Sequence, residues 1–343
     1  MKVFSMEFQK KRRQQFLGET YYRDQLPRFE DVIHGHDGLE VGLRARETQR
    51  GLHLSLASGV GYELFNRLTL RYTAGEPIEP LRSELEQVIA AYERYGELLW
   101  AFRKDRNTPV FDFDVLDDYC QLMQLIGLCL LLHRRDLLPR LTAIQDGEDG
   151  KGNGGCDTLY EEFMAYGIGP ETRFETDLLC QMRPYENLFY ALTEDTPAKQ
   201  LKELDLFLKH WYKDLAGTGW HDSHKPDENG NQGGYYGYWS FEAGAAVLLL
   251  GIEDDSSLHK YLYYPKDLVA WAREHAKLTQ ADVASPGHAL RLRCEAGQPC
   301  PKTGFWFTPA RAGSRQRFDV GQVMPEVGGD YGATIWQWDD QQG

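Results

Sequence analysis

Residues 233–268 read GGYYGYWSFEAGAAVLLLGIEDDSSLHKYLYYPKDL, and the interpretation of the chain begins with them. From Tyr238 to Leu250 only Ser240 and Glu242 are strongly polar, so this segment predicts a helix that is apolar on nearly every side. Such a helix belongs in the interior of a helical bundle. It is too short to span a bilayer, which needs roughly 20 residues, and the acidic turn at 253–255 ends it in water.

Helical sequence recurs along most of the chain. Residues 5–47 predict an opening helix and a second, short one, and a Gly-rich segment at 147–155 marks the clearest internal boundary. Further helices are predicted at Glu47 to Tyr72, Ile78 to Arg103, Tyr119 to Leu132, Asp157 to Ala191 in pieces, and Thr196 to Leu215. The expected fold is mainly α, a bundle of stacked helical hairpins of α-solenoid type with a small C-terminal β appendage. The expected domains are 1–150, 151–285 and 286–343.

Two parts of the chain share a layout. In each, an amphipathic helix ends near a tryptophan, Trp100 or Trp211, and a polar loop leads to an apolar helix that opens on Tyr119 or Tyr238. Neither unit can bury its apolar helix alone, so the two are expected to stack. We interpret the repeated layout as a weak internal duplication of helical hairpins.

The pattern changes after residue 285 to short β-prone segments separated by Gly, Pro and Asp, which predict hairpins. The aromatic residues of this tail are expected to pack in its core, because buried aromatic area is the main stabiliser of so small a module. These residues are Trp306, Phe307, Trp336 and Trp338. Cys294 and Cys300 have five residues between them and no second pair nearby, so the sequence predicts no zinc site.

Composition excludes several classes of function. The formal net charge of −14 disfavours nucleic acid as a partner, since phosphate binding needs a basic surface, and it suits a basic protein partner. The basic N-terminus lacks the apolar segment of a secretion signal, and no stretch reaches membrane length. We therefore expect a cytoplasmic protein that does not bind membranes. Whether it forms a homodimer is left open.

Two places carry residues that could perform catalysis. His221, Asp222 and His224 lie within a polar loop, where nothing in the sequence excludes water or fixes their geometry. Glu242 lies in an apolar helix, where burial would raise its pKa towards that of a general acid, although the helix dipole and a neighbouring tyrosine hydroxyl could also satisfy a structural carboxylate. A helical hydrolase using Glu242 with His221 or His224 is one alternative. A helical-repeat scaffold is another.

No dinucleotide fingerprint, phosphate loop, zincin motif or nucleophile elbow is present, so no cofactor is expected. Three acidic loops offer a different kind of site. If the two hairpin units stack, the loops could meet at one rim and form a negative surface that suits a basic protein. The candidate partner-binding residues are Asp112, Asp114, Asp117, Asp118, Glu148, Asp149, Glu253, Asp254 and Asp255.

Several motifs of the second half resemble a known family. These are YYGYWSFEAG at 235–244, LGIEDDSSL at 250–258 and YYPKDLV at 263–269, and RYTAGEPI at 71–78 is similar more loosely. They resemble the PoNi-type immunity proteins, the antidotes of PoNe-type DNase toxins in bacterial contact-dependent competition, which is often mediated by type VI secretion. The resemblance spans roughly residues 10–275, and the tail from Cys294 to Trp338 departs from it.

This resemblance implies a mostly helical protein that binds its cognate toxin and blocks the toxin's active site, with no catalysis of its own. The implied partner is a basic nuclease domain. An acidic antidote suits such a partner, because carboxylates can imitate phosphates and accelerate association.

Overall fold

The computed structural model describes residues 6–43, 50–150, 152–226, 233–278, 293–308, 311, 314–327 and 334–339. At positions 36–43, 50, 53, 149, 293, 295, 335, 337 and 338 it describes the backbone alone. Contacts divide the chain into two compact units, Met1–Val283 and Ala284–Gly343. The further division of the helical part at residue 150 stays a prediction.

The first unit is helical. Its helices are α1 (Met6–Lys11), α2 (Glu19–Leu43), α3 (Arg50–Thr73), α4 (Leu81–Arg103), α5 (Leu116–Leu131), α6 (Leu138–Gln145), α7 (Thr158–Ile168), α8 (Met182–Thr193), α9 (Pro197–Asp214), α10 (Phe241–Leu249) and α11 (Lys266–Glu274). Most lie within a turn of the predicted positions, although α2 is long where a short helix was expected. The mainly α fold with a small β appendage is confirmed.

Consecutive helices form antiparallel hairpins. In the α3–α4 hairpin, Arg71 near the end of α3 pairs with Glu84 near the start of α4, and Gly61 faces Tyr92 further along. The α8–α9 hairpin is closed by a hydrogen bond from Asn187 Nδ2 to a Glu203 carboxylate oxygen (2.8 Å). The predicted stacking of hairpins therefore describes this unit well.

The apolar helices α5 and α10 pack against each other and run in the same direction. Near the start of their contact, Gln124 Nε2 donates a hydrogen bond to the Trp239 carbonyl (3.3 Å). Further along, a Cβ placed on Gly244 would lie 3.2 Å from the Leu131 side chain. Both helices are almost completely buried, so the prediction that α10 lies in the interior is confirmed.

The N-terminal part of the predicted α10 is not helical. Tyr238 to Ser240 have no regular secondary structure, and the helix begins at Phe241. Gln14, 1% exposed, holds this irregular segment. Its Oε1 accepts hydrogen bonds from the Tyr235 hydroxyl (2.6 Å) and the Tyr238 N–H (2.9 Å), and its Nε2 donates to the Tyr238 carbonyl (2.5 Å). These bonds satisfy backbone groups that a helix would otherwise pair internally.

The second unit contains an antiparallel sheet with strand order β1-β4-β2-β3. The strands are β1 (Arg293–Glu295), β2 (Gly304–Phe307), β3 (Gln316–Phe318) and β4 (Ile335–Trp338). Trp306 and Trp336 are fully buried in its core, as predicted, whereas Phe307 is only partly buried and the side chain of Trp338 lies outside the described residues. Cys294 and Cys300 are buried in this core.

In the part of the chain that the structure describes, no helix has both the length and the apolar character that crossing a membrane requires.

The contact between α5 and α10 leaves no room for a side chain at Gly127. A Cβ there would lie 2.6 Å from the Phe241 carbonyl carbon and 2.7 Å from the Glu242 nitrogen, both backbone atoms. We therefore expect Gly127→Ala to lower the free energy of unfolding by about 1–2 kcal/mol, since forced separation of packed helices outweighs alanine's better helix propensity. Urea denaturation measures the change.

Gly35→Ala is the matched control, because Gly35 also lies in a helix but none of the described atoms lies within 4 Å of an added Cβ. It is expected to leave stability unchanged or raise it by up to about 1 kcal/mol. Equal stabilities of the two variants would contradict the proposed role of the helix contact.

Candidate functional site

Four acidic residues surround the N-terminal end of α5. Asp112, Asp114 and Asp117 are exposed, and Asp118 is partly buried. The turn is ordered by its own carboxylates: Asp112 Oδ1 accepts the Asp114 N–H (3.0 Å), and Asp118 Oδ2 accepts the Asp112 N–H (3.1 Å). Burial raises the pKa of Asp118, and the charges of Asp112 and Asp117 raise it further. Negative charge is thus concentrated in a fixed geometry.

The second acidic loop lies beside this turn. Asn107 connects the two, because its Oδ1 accepts the Glu148 N–H (2.9 Å) and its carbonyl accepts a hydrogen bond from Asn153 Nδ2 (2.8 Å). Glu148 is exposed, whereas the side chain of Asp149 lies outside the described residues. Two of the three predicted acidic loops are therefore neighbours.

The third acidic loop lies elsewhere, which corrects the expectation of a common rim. Glu253 and Asp254 follow the C-terminal end of α10, and α10 runs alongside the C-terminal half of α5. The acidic turn at 112–118 is at the opposite end of α5, and the 14 residues from Asp117 to Leu131 alone span about 20 Å. The parallel direction of α5 and α10 separates the loops.

The prediction that Asp255 belongs to an exposed binding surface is also wrong. Asp255 is only 5% exposed, and its carboxylate has hydrogen-bond partners inside the protein. Arg273 Nη1 donates to its Oδ1 (3.0 Å) and the Tyr264 hydroxyl donates to its Oδ2. Burial acts against ionisation, but these hydrogen bonds and the positive charge of Arg273 hold the pKa of Asp255 below its usual value. Asp255 stabilises the fold and offers no surface to a partner.

Glu242 is enclosed, with 0% exposure. Its Oε1 accepts the Trp211 indole N–H (2.7 Å), where a tyrosine hydroxyl was expected. Burial raises its pKa to about 7, and the hydrogen bond from Trp211 offsets part of that rise. Its protonated form is therefore substantial near neutral pH, but no substrate can reach it in this structure.

The histidines of the polar loop have structural partners. His221 is 3.1 Å from the Tyr212 carbonyl, and His224 Nδ1 is 2.8 Å from the Tyr238 hydroxyl and stacks on Phe16. Among the described residues, neither forms a hydrogen bond with Glu242, and no group of three His, Cys, Asp or Glu side chains is arranged to hold a metal ion. The geometry gives the hydrolase alternative no open reaction centre.

A buried network missed by the sequence reasoning holds the acidic end together. Arg173 donates to Asp146 (2.8 Å) and to Glu161 (2.7 Å), and all three residues are almost completely enclosed. Asp157 caps α7 by accepting the Tyr160 N–H (2.9 Å). Such partners are distant in sequence and belong to no local motif, so periodicity could not have revealed them.

A cavity of about 370 Å³ opens next to the acidic turn. Asp117, Asp118 and Gln121 of α5 line one side of it. The other walls come mainly from aromatic side chains, among them Tyr62, Tyr92, Tyr95, Phe111, Trp220 and Tyr236. The sequence had singled out only the carboxylates as candidate binding residues, because the aromatic residues come from five separate segments.

Residues 155–268 match the family model described as PoNe immunity proteins (PoNi), C-terminal. This region is similar to the C-terminal domain of the PoNi immunity proteins, and we call it the PoNi domain. The resemblance seen in its aromatic and Ala-rich motifs is confirmed. The PoNi domain contains α7 to α10, together with Trp220 and Tyr236 of the cavity. The acidic turn at 112–118 precedes the domain but is bonded to it, since Asp117 Oδ1 accepts the Gly219 N–H (2.9 Å).

The fold is shared with protein PA2201 from Pseudomonas aeruginosa, known from a crystal structure. The superposition has a TM-score of 0.59 at 17% sequence identity and covers 77% of this chain and 92% of the other. At this identity the likeness shows the fold alone. The comparison with curated proteins gave no match.

Glu242 predicts a specific pH dependence of stability. Its pKa of about 7 in the folded protein exceeds the value of 4.5 expected when unfolded, so the folded state binds the extra proton between these values. Its contribution to stability is complete below pH 4.5 and is lost as pH rises through 7. The variant Glu242→Gln imitates the protonated carboxyl. Relative to this variant, the free energy of unfolding of the wild type should fall by on the order of 3 kcal/mol between pH 4.5 and pH 8.

Urea unfolding of both proteins across this pH range measures the difference between their free energies of unfolding. The effects of titrating groups that both proteins share cancel in this difference. A difference in stability that stays constant with pH would show that Glu242 is already ionised in the folded protein.

Proposed function

We propose that this protein is an immunity protein that binds its cognate toxin, a basic nuclease of the PoNe type, and blocks the toxin's active site or substrate surface. The observation that carries the proposal is the match of residues 155–268 to the PoNi family. A toxin delivered between bacteria, for example by type VI secretion, has to be neutralised in any cell that contains it. Tight, non-catalytic binding is sufficient for that task.

Charge supports a basic partner. A nuclease has to attract a polyanion, so its substrate surface is positively charged, and a protein of net charge −14 is drawn to the same surface. Carboxylates at fixed positions can replace the phosphates of the nucleic acid. Complementary charges of this kind chiefly raise the rate of association and the selectivity of the complex.

We place the primary toxin contact at the end of α5 that carries Asp112, Asp114, Asp117, Asp118 and Glu148. The first three and Glu148 are exposed, and the loops that carry them are held by hydrogen bonds, so little conformational entropy is lost on binding. Glu253 and Asp254 form a second, smaller acidic site within the PoNi domain, at the other end of α5. The two sites are too far apart to act as one continuous patch.

Co-expression with the product of the neighbouring gene tests the proposal. We expect a one-to-one complex that abolishes the toxicity of that product and whose association slows as salt is added. If no complex forms and the cells are not protected, the proposed function is wrong. Protection that depends on Glu242 as an acid, without a stable complex, would favour an enzyme.

Paired charge removal distinguishes the two acidic sites. The variant Asp112→Asn/Asp114→Asn should lower the association rate with the toxin roughly three- to tenfold at low salt, because two carboxylates facing a basic surface are lost. Stopped-flow or surface-based kinetics measure this rate.

The variant Glu253→Gln/Asp254→Asn is the matched control, since it also removes two exposed charges and keeps the acceptor for the Ser256 N–H. Its association rate should change less than twofold. If the Glu253/Asp254 variant slows association more than the Asp112/Asp114 variant, the primary toxin contact lies at the PoNi-domain site. If neither variant changes the association rate, the acidic loops do not contribute to toxin binding.

A further inference from the structure

We propose that the cavity between α3, α4, α5 and the PoNi domain is a receptor for an organic cation, the guanidinium group of an arginine side chain of the toxin. This inference rests on the proposed function and makes it specific. It assigns the centre of the interface to a pocket and not to the acidic surface as a whole.

The size of the cavity suits a side chain. At about 370 Å³ it lies within the range of ligand pockets, and a single water occupies only about 30 Å³ of liquid. The entrance is accessible, because Tyr62 is 38% exposed and Asp117 is exposed. A side chain can therefore enter from solvent without local unfolding of a helix.

The walls favour a positive charge. The faces of tyrosine, tryptophan and phenylalanine rings carry negative potential and attract cations. Tyr62 and Tyr236 are fixed relative to each other by a hydrogen bond between their hydroxyls, which are 2.8 Å apart. Tyr92 packs against Phe111, with ring centroids separated by 4.8 Å. The aromatic walls are thus already arranged before any ligand binds.

Among the described residues, the carboxylates of the cavity have no positively charged partner. No Lys, Arg or His of the described residues lines it or forms an ion pair with Asp117 or Asp118. Asp118 is partly desolvated, and this raises its pKa, so ionisation is costly in the free protein and a bound cation would relieve that cost. An anion would be repelled, and an apolar ligand would bury the carboxylates further.

One polar group of the wall is unpaired. Gln121 Nε2 is buried and has no hydrogen-bond partner among the described residues. The two orientations of an amide have nearly the same shape, so Gln121 can present either its N–H or its carbonyl oxygen to a ligand. Arginine fits this wall better than lysine, because its planar group stacks on aromatic rings and donates several hydrogen bonds at once.

The kinetics of toxin binding test the pocket. Asp118→Asn keeps an acceptor for the Asp112 N–H but removes the charge inside the cavity, and Tyr95→Leu removes an aromatic face. Each should increase the dissociation rate at least tenfold, since losing a partner of an enclosed charge acts on dissociation. Glu97→Gln, which removes an exposed charge of α4 that does not line the cavity, is the control and should change dissociation less than threefold.

Thermal unfolding of each variant verifies that it is folded. If a folded Asp118→Asn variant and a folded Tyr95→Leu variant dissociate from the toxin at the wild-type rate, the pocket proposal is wrong while the immunity function stands. If the wild-type protein does not bind the toxin at all, the proposed function fails.

A titration with free amides tests the chemistry of the cavity without the toxin. Saturation-transfer NMR compares L-argininamide with L-citrullinamide, which has the same α-amino group and a side chain of nearly the same shape, but carries a neutral urea group in place of the guanidinium. A signal from argininamide alone that disappears in the variant Asp117→Asn/Asp118→Asn supports a cation receptor. If the toxin assay fails, this result would still identify the cavity as a site for free organic cations. Equal signals from the two amides, including none, would overturn the proposal.

Discussion

The close approach of α5 and α10 is the constraint on which the rest of the helical unit depends. Gly127 lets the start of α10 touch the backbone of α5, and Gly244 lets α10 fit against Leu131 and Val269. Both helices are enclosed, and α7, α8 and α11 each pack against one or both of them. Their parallel direction also determines which loops share an end of the molecule, so a packing contact in the core decides how charge is distributed on the surface.

The N-terminal segment completes this core. Gln14 bonds to Tyr235 and to both backbone polar groups of Tyr238, and Thr73 Oγ1 donates to the Tyr236 carbonyl (2.7 Å) while accepting the Trp239 indole N–H (2.8 Å). These hydrogen bonds hold the aromatic segment before α10 in a non-helical conformation. This segment places Tyr236 in the wall of the cavity and Trp239 in the core.

Periodicity predicted the helices well, because apolar residues three and four apart report burial directly. It failed where distant residues decide the outcome. The local sequence around Tyr238 predicts a helix, but Gln14 provides other hydrogen-bond partners for the Tyr238 backbone. The local sequence around Asp255 predicts a surface carboxylate, but this carboxylate is buried and Arg273 neutralises its charge. The cavity was invisible for the same reason, since Trp220 meets the tyrosines of α3 and α4 only after folding.

The composition of the cavity has an evolutionary consequence. Trp220 and Tyr236 belong to the PoNi domain, whereas Tyr62 and Tyr92 precede it by many residues, so the pocket is inherited in two pieces. Recombination that exchanges only the segment 155–268 between relatives would join foreign halves of its wall. If the cavity receives an arginine of the toxin, such an exchange would keep the fold but change the fit of the pocket, and substitutions at Tyr62 and Tyr92 would be able to restore it.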